Sequence, residues 1–180
     1  MKKKILVFIG SRANYSSIKS VMTSIEMNSN LKLLVVAGAS AILEKYGGVA
    51  SLIEADGFKI STKIHMQVEG ESPLTMAKTT GLGIIELSTS FENLKPDIVL
   101  TVGDRFETMA TTLAAAYMNI PIAHTMGGEI TGTIDESIRH AVTKFSHIHF
   151  PASKDAKDRI IRLGEKKENV HLVGCPRIDL

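Results

Sequence analysis

The chain has 180 residues, of which 44% are hydrophobic, and a formal net charge of +2 at pH 7. This length is enough for one well-buried core, so a single domain is the default expectation. The thin spread of charge excludes the basic surface that binds nucleic acid or an anionic membrane.

Two further patterns concern the compartment. No apolar stretch approaches the length of a membrane-spanning helix, and "ILVFIG" (5–10) is too short for the core of a signal peptide. The single cysteine, Cys175, cannot form an internal disulfide. These features predict a cytoplasmic protein in a reducing compartment.

Segments rich in aliphatic and β-branched residues alternate with segments of helical periodicity. The predicted strands are 4–10, 32–38, 57–62, 97–103, 120–125, 147–151 and 169–174. Their nearly continuous apolar runs are typical of strands covered on both faces. The regular alternation of strands and helices predicts an α/β fold, a Rossmann-like three-layer αβα arrangement with a mainly parallel sheet.

Apolar residues at helical spacing mark the expected buried faces of two helices. One face holds Ile18, Val21, Met22 and Ile25, and the other holds Phe106, Met109, Leu113, Ala114 and Tyr117. Short helices interrupted at Gly47 and Gly48 are predicted between the second and third strands. A long helix is predicted from Pro73 to about Asn93.

In an open parallel sheet, ligands bind beyond the carboxyl ends of the strands. The turn after the first strand, "GSRANYS" (10–16), lacks the G-x-G-x-x-G and G-K-S/T patterns, which argues against dinucleotide and P-loop binding. Free amides at the helix start, with Arg12 and Ser16, still suit a phosphate oxygen. The alternative is a surface salt bridge for Arg12 and a helix cap for Ser11.

The turn after the fourth strand, "VGDRFET" (102–108), places a carboxylate directly after an apolar run. Asp104 suits general acid or base chemistry there, because such a position is partly desolvated. The alternative is that Asp104 caps the next helix. Arg105 can either pair with Asp104 or face a substrate phosphate.

The turn after the fifth strand holds two adjacent glycines, Gly127 and Gly128, which would let a ligand approach the backbone closely. A tight turn explains the glycines, but it does not explain the neighbouring ionisable residues His124, Glu129, Asp135, Arg139 and His140. A capping box between Thr133 and Glu136 is predicted to begin the next helix at 133.

Two histidines, His147 and His149, are spaced to lie on one face of the sixth strand. A pair of this kind can ligate a metal, but no cysteine or carboxylate at ligand spacing accompanies them. We therefore expect both rings to be buried and hydrogen-bonded, and no metal site.

These segments together resemble one known family. "GSRANYS", "VGDRFET", "IPIAHTMGGEITGTIDESIRHAVTKFSHIHF" (120–150) and "GCPRID" (174–179) are similar to the N-terminal half of the hydrolysing UDP-N-acetylglucosamine 2-epimerases, in particular the branch that serves sialic and related nonulosonic acids. The similarity spans essentially the whole chain, and its most specific part is 131–150.

The resemblance implies a glycosyltransferase-B-like architecture with the active site between two Rossmann-like halves. Residues 1–173 would form the first half, and 174–180 would begin the linker to an absent C-terminal domain, without which the fragment would be inactive. Family members convert UDP-N-acetylglucosamine and water to N-acetylmannosamine and UDP through a 2-acetamidoglucal intermediate. They use neither a metal nor a nicotinamide cofactor, and they are commonly homodimers.

By position, the resemblance assigns phosphate contacts to Arg12 and Ser16 and places Arg105 in the same pocket. Asp104 and Asp135 match two catalytic carboxylates. The substrate-binding set is completed by residues of the fifth turn and the helix after it: His124, Gly127, Gly128 and Arg139.

The chain departs from the family pattern at one position. Many relatives carry a catalytic glutamate where this chain has Met126, which cannot transfer protons; Glu129 is the expected substitute. A non-catalytic module that binds sugar nucleotides and one half of a glycosyltransferase remain the alternatives. The sequence also leaves open whether the sugar is plain N-acetylglucosamine or a diacetamido-trideoxy relative.

Overall fold

The structure, a computed structural model, describes residues 2–70 and 72–179. Its strands are β1 (Lys3–Ile9), β2 (Leu31–Ala37), β3 (Ile60–Lys63), β4 (Ile98–Val102), β5 (Ile122–Thr125) and β6 (Ile148–Phe150). They form one parallel sheet in the order β3-β2-β1-β4-β5-β6. The predicted α/β class with a parallel sheet is confirmed, and the order places the topological switch point between β1 and β4.

Helices connect the strands and cover both faces of the sheet. They are α1 (Arg12–Met27), α2 (Val49–Ala55), α3 (Pro73–Leu94), α4 (Phe106–Tyr117), α5 (Ile134–Phe145) and α6 (Lys154–Arg162), with 3₁₀ turns at Ala39–Ile42, Glu44–Tyr46, Lys167–Asn169 and Pro176–Asp179. The long helix and the break at Gly47 and Gly48 are as predicted. Among the helices described, none has the length and apolarity needed to cross a bilayer.

The core has two layers, one on each face of the sheet. Alternate residues of β1 point to opposite faces, so Ile5, Val7 and Ile9 pack under α1 and α2, whereas Leu6 and Phe8 pack under α3 and α4. This two-sided burial explains why the strand reads as a continuous apolar run.

The buried face of α4 differs from the predicted one. Ala114 is buried as predicted, together with Ala110 and Thr111, whereas Tyr117 is 84% exposed. The other predicted members, Phe106, Met109 and Leu113, are partly buried. The physical reason is close packing against α3, because small residues let the two helices approach and leave no room for the larger ones. Periodicity identified the helix, but the size of its residues determined which face is buried.

The predicted seventh strand, 169–174, is also wrong. Only Val170 forms a single bridge to His149, and Leu172 and Val173 are exposed. The chain then turns back onto α1, where the Ser20 hydroxyl donates to the Pro176 carbonyl at 2.9 Å. Leu180, the last residue of the predicted linker 174–180, lies outside the described residues.

Two glycines of α3 test how tightly this helix packs on α4. A Cβ atom on Gly83 would lie 2.9 Å from the Ala110 Cβ and 2.5 Å from the Met66 Cε, whereas one on Gly81 would meet nothing within 4 Å. We expect Gly81→Ala to raise the free energy of unfolding by about 1 kcal/mol through helix propensity. Gly83→Ala should lower it by about 1 kcal/mol or more, because overpacking outweighs that gain.

Urea unfolding of the two variants beside the wild type measures both effects. Two substitutions that change stability by the same amount would contradict the close packing of α3 on α4.

Candidate functional site

Three turns that follow strands meet at one edge of the sheet. β1, β4 and β5 are parallel neighbours, so their carboxyl ends share that edge. Arg12 follows β1, Asp104 follows β4, and the loop that leads to Asp135 follows β5. The sequence-predicted site segments are therefore gathered on one side of the molecule, at the position where open α/β sheets bind ligands.

A buried arginine joins two of these turns. The Arg139 guanidinium on α5 forms an ion pair with the Asp104 carboxylate and donates to the Glu129 carbonyl at 2.8 Å. The Arg139 side chain is only 6% exposed, and burial lowers the pKa of Arg139. Because a desolvated carboxylate and a desolvated guanidinium each require a partner, this contact fixes the β4–α4 turn against the β5–α5 loop. Arg139, predicted from the sequence to bind substrate, therefore also has partners within the protein: the Asp104 carboxylate and the Glu129 carbonyl.

His124 lies beneath the site. Its ring is buried, and its Nε2 lies 2.8 Å from the carbonyl oxygen of Gly103. Gly103 is the residue directly before Asp104. Burial lowers the pKa of His124 to about 4, so the ring is neutral near pH 7 and Nε2 carries the proton that it donates. This geometry supports a positioning role for His124, holding the turn that presents Asp104.

The glycine pair is explained by contacts within the protein. A Cβ atom on Gly127 would lie 2.9 Å from the His124 Nδ1, and one on Gly128 would lie 2.3 Å from the Ala156 carbonyl oxygen of α6. Gly128 also has a φ of +80°, which disfavours other residues, and its carbonyl accepts from Arg159. The two glycines thus let the imidazole and α6 come close to the backbone, and the ligand contact predicted for them stays a prediction.

The start of α5 differs in detail from the predicted capping box. Thr133 is the N-cap, but its hydroxyl accepts from the Asp135 amide at 3.3 Å. The Glu136 carboxylate accepts from the Thr131 and Gly132 amides at 2.9 and 2.8 Å, and these bonds lower the pKa of Glu136. The left-handed backbone of Gly132 folds the loop over the helix end, which brings those amides to Glu136. Asp135 is left half-buried in the first turn.

Glu107 is a site residue that the sequence analysis missed. It is 1% exposed, and its Oε1 lies 3.3 Å from the Arg105 Nε. Burial raises the pKa of Glu107, an effect that Arg105 opposes and Asp135 reinforces. Its position could have revealed it, because Glu107 lies in the first turn of the helix that follows β4, five residues after the strand ends at Val102, and ligands bind at that edge of the sheet.

Arg105 and Glu107 line a cleft of about 370 Å³. Its walls also include Ser40, Gln67 and the beginning of α3. The Arg105 side chain is 49% exposed, and it pairs with Glu107 and not with Asp104. One of the two expectations for Arg105, a pair with Asp104, is therefore wrong.

Arg12 and Ser16 lie on the first turn and a half of α1. The Arg12 side chain is exposed and lies beside Gly47, and the Ser16 hydroxyl donates to the Ala13 carbonyl at 3.2 Å. Ser11 caps the helix, as one expectation held, by accepting from the Asn14 amide at 3.2 Å. Within the described chain, no contact joins Arg12 or Ser16 to the carboxylates of the other turns.

The carboxylate of Glu129 faces α6. Its Oε1 lies 3.3 Å from the Ser153 hydroxyl, which donates to it, while the Glu129 backbone faces Arg139. Met126, three residues earlier, has a φ of +61°, which is uncommon for a residue with a side chain. Its amide donates to the Phe150 carbonyl at 3.1 Å, so the loop is anchored on β6.

The two histidines of β6 lie in different surroundings. His149 is buried, with Nε2 3.4 Å from the Glu165 carboxylate, whereas His147 is exposed and its Nδ1 accepts from the Ile122 amide at 3.2 Å. The expectation that both are buried and hydrogen-bonded is met in part by each: His147 is hydrogen-bonded but exposed, since it precedes β6, and His149 is buried but has no hydrogen-bond partner for its ring nitrogens among the described residues. His140 on α5 faces Glu136 at 3.9 Å.

Comparison with known proteins gives a consistent result. Residues 23–180 match the family model described as UDP-N-acetylglucosamine 2-epimerase. A UDP-N,N'-diacetylbacillosamine 2-epimerase (hydrolyzing) of Legionella pneumophila is 37% identical over 179 residues, which are 99% of this chain and 48% of that protein. A GDP/UDP-N,N'-diacetylbacillosamine 2-epimerase (hydrolyzing) of Campylobacter jejuni is 33% identical over 96% of this chain and 45% of that protein.

The fold has a solved counterpart. The crystal structure of UDP-GlcNAc 2-epimerase from Neisseria meningitidis bound to UDP-GlcNAc aligns with a TM-score of 0.87 and 23% identity, over 98% of this chain and 48% of that one. This confirms the predicted fold, the N-terminal half of a glycosyltransferase-B-like architecture. The chain spans about half the length of the curated relatives it matches.

The neutral His124 ring makes stability dependent on pH. Between pH 6.5 and its pKa of about 4 in the folded chain, the unfolded chain takes up a proton at His124 that the folded chain does not. We therefore expect the contribution of His124 to be complete above about pH 6.5 and to fall by about 3 kcal/mol as the pH drops to 4. Urea unfolding at pH 7 and pH 4.5 measures this loss.

His124→Gln is the matched variant, because an amide can still donate to the Gly103 carbonyl but does not titrate. It should lose less stability than the wild type over the same pH interval, and His147→Gln, at an exposed histidine, should behave as the wild type. An equal loss in the wild type and in His124→Gln would contradict the assignment.

Proposed function

The chain belongs to the UDP-N-acetylglucosamine 2-epimerase family, and we propose that it is the N-terminal domain of a hydrolysing 2-epimerase. The enzyme would convert a UDP-2-acetamido sugar and water into UDP and the free sugar inverted at carbon 2. UDP-N-acetylglucosamine would give N-acetylmannosamine. The names of the Legionella and Campylobacter relatives favour UDP-N,N'-diacetylbacillosamine as a second substrate to test.

The observation that carries this proposal is the Asp104–Arg139 ion pair at the carboxyl edge of the sheet. The pair holds a half-buried carboxylate on a turn beside the cleft, and Arg139 fixes its position through the Glu129 carbonyl. A carboxylate fixed in position suits proton transfer, because that step depends on close and constant geometry.

The reaction divides into an elimination and an addition. In the first step, Asp104 takes the proton from carbon 2, the electrons of that C–H bond form a carbon 1–carbon 2 double bond, and the bond from carbon 1 to the phosphate oxygen breaks to release UDP. In the second step, Asp135 takes a proton from water as its hydroxyl adds to carbon 1. A proton added to carbon 2 from the opposite face completes the inversion.

Glu129 is the proposed proton donor for carbon 2, since Met126 has no proton to transfer. Its carboxyl would have to leave the Ser153 hydroxyl to reach the sugar. Arg12, Ser16 and Arg105 would hold the diphosphate and stabilise the charge that develops on departing UDP. His124, Gly127, Gly128 and Arg139 complete the substrate pocket by shaping the loop and placing Asp104.

The complete enzyme would contain a second domain and a second copy of the chain. Since the chain spans about half of its curated relatives, we propose that a C-terminal domain supplies most of the uridine site and that these 180 residues alone do not turn over substrate. A homodimer is proposed on family likeness. No metal or nicotinamide is required by the chemistry described.

A product assay on the natural gene product tests the reaction. We expect UDP and N-acetylmannosamine from UDP-N-acetylglucosamine, and Asp104→Asn and Asp135→Asn should each lower kcat about 10²–10⁴-fold, because each removes one proton transfer. Glu129→Gln should also lower kcat. Products are quantified by chromatography, with UDP-N,N'-diacetylbacillosamine assayed in parallel.

Asp97→Asn is the control, since Asp97 pairs with Lys3 and the Lys4 amide at the opposite edge of the sheet; it should retain full turnover. Normal turnover in Asp135→Asn would remove Asp135 from the mechanism, and normal turnover in Glu129→Gln would remove the proposed donor. Binding of UDP-sugars without any product would favour the non-catalytic module, and transfer of the sugar to an acceptor would favour a glycosyltransferase.

A further inference from the structure

Glu107 lies at the point where the sheet reverses its strand order. The residue lies in the first turn of α4, which follows β4. Its side chain packs over Gly10, the residue directly after β1. A Cβ atom on Gly10 would come within 2.5 Å of the Glu107 Cγ. The carboxyl group is thus enclosed between the two turns that flank the topological switch point, beside the cleft.

The two oxygens of this carboxyl group have different surroundings. Oε1 lies 3.3 Å from the Arg105 Nε, whereas Oε2 is buried and has no hydrogen-bond partner among residues 2–70 and 72–179. The charged groups that face Glu107 are Arg105 from its own turn and Asp135 from α5; β1 contributes only the uncharged Gly10. A single arginine therefore balances the charge of Glu107.

This arrangement is costly for the fold alone. The Glu107 carboxylate loses its hydration on burial, and its one ionic partner, Arg105, is half-exposed, so the attraction between them is weakened by solvent. A methionine or leucine at 107 would fill the same space without that penalty. The carboxyl group is better explained by its effect on Arg105.

The contact through Nε restricts the conformations that the Arg105 side chain can adopt. A free arginine side chain samples many rotamers, and ordering it on binding a ligand costs conformational entropy. With Nε held by Glu107, the two terminal nitrogens remain at the exposed end of the guanidinium, which suits bidentate contact with a phosphate. Phe106 also packs against this guanidinium, at 5.4 Å from the ring centroid.

We propose that Glu107 is the positioning residue for Arg105: it holds the guanidinium by Nε so that its terminal nitrogens meet the diphosphate of a UDP-sugar in the cleft. The inference rests on the proposed function in one respect, the identity of the ligand as a UDP-sugar. Glu107 acts through Arg105 and does not itself touch the substrate.

Binding of UDP to the natural gene product, measured by calorimetry, tests the inference without requiring turnover. Glu107→Gln should raise the Kd for UDP about tenfold, and Arg105→Ala should raise it at least as much. In the Arg105→Ala background, Glu107→Gln should change Kd less than twofold, because both residues act through one contact. With UDP-sugar as substrate, Glu107→Gln should raise KM and leave kcat within about threefold.

The pH dependence distinguishes positioning from simple packing. As the pH falls through the raised pKa of Glu107, protonation removes the charge that holds Arg105, so Kd should rise in the wild type. Glu107→Gln should lack this rise. The ionisation of UDP itself is common to both proteins and cancels in the comparison.

Two further variants secure the test. Arg105→Lys keeps the charge at a half-exposed position but has no Nε, so it should weaken UDP binding about tenfold even if Glu107→Gln does not fold. Glu54→Gln is the matched control, because it breaks an ion pair with Lys63 at 2.9 Å outside the cleft, and it should bind UDP as the wild type does.

The inference would be overturned by additive effects of Glu107→Gln and Arg105→Ala, by a pH dependence of Kd that is the same in Glu107→Gln as in the wild type, or by normal UDP binding in Arg105→Lys. These outcomes are separate from the fate of the proposed reaction. A protein that binds UDP but forms no product from a UDP-sugar would refute the hydrolysing 2-epimerase and still decide the role of Glu107. A wild type that does not bind UDP would refute both.

Discussion

The site depends on the pairing of one buried guanidinium. Arg139 lies inside α5, where an uncompensated charge would cost several kcal/mol, and its partners are the Asp104 carboxylate and the Glu129 carbonyl. Because these partners come from two different turns, satisfying Arg139 fixes the turn after β4 and the loop after β5 relative to each other. Geometry suited to proton transfer thus follows from the requirement that a buried charge be neutralised.

A second layer of contacts supports this pairing from below. The His124 ring holds the Gly103 carbonyl, and Gly127 lies directly against that ring. Gly128 packs against α6, and the Arg159 side chain of that helix donates a hydrogen bond to the Gly128 carbonyl. The two glycines therefore let the loop pack closely against the His124 imidazole and against α6. Their immediate neighbours are side chains and backbone of this same chain. Rigid support of this kind is what a site needs if its acids are to remain in place between turnovers.

Local patterns in the sequence predicted most of the architecture. The apolar runs of β1, β2, β4 and β5 and the long α3 were located to within a few residues, since each depends on neighbouring positions along the chain. The failures involved tertiary context. Tyr117 is exposed because small residues of α4 pack on α3. The predicted strand 169–174 joins β6 and the residue after it only through a bridge at Val170 and single backbone hydrogen bonds from His171 and Val173. The site segments were found, but Glu107 was not, since a glutamate in the first turn of a helix is usually solvated.

By itself, the sequence determined the order and type of most elements, the three polar turns and the family, because strand hydrophobicity, helical period and motif letters are properties of adjacent residues. Only the tertiary structure decided which charges pair. Arg105 is next to Asp104 in the chain, yet it pairs with Glu107, while Asp104 pairs with Arg139 thirty-five positions away. The parallel neighbours β1, β4 and β5 bring these turns to one edge of the sheet. The buried groups there, Glu107 and Arg139, can pair only with the opposite charge that lies close to each of them.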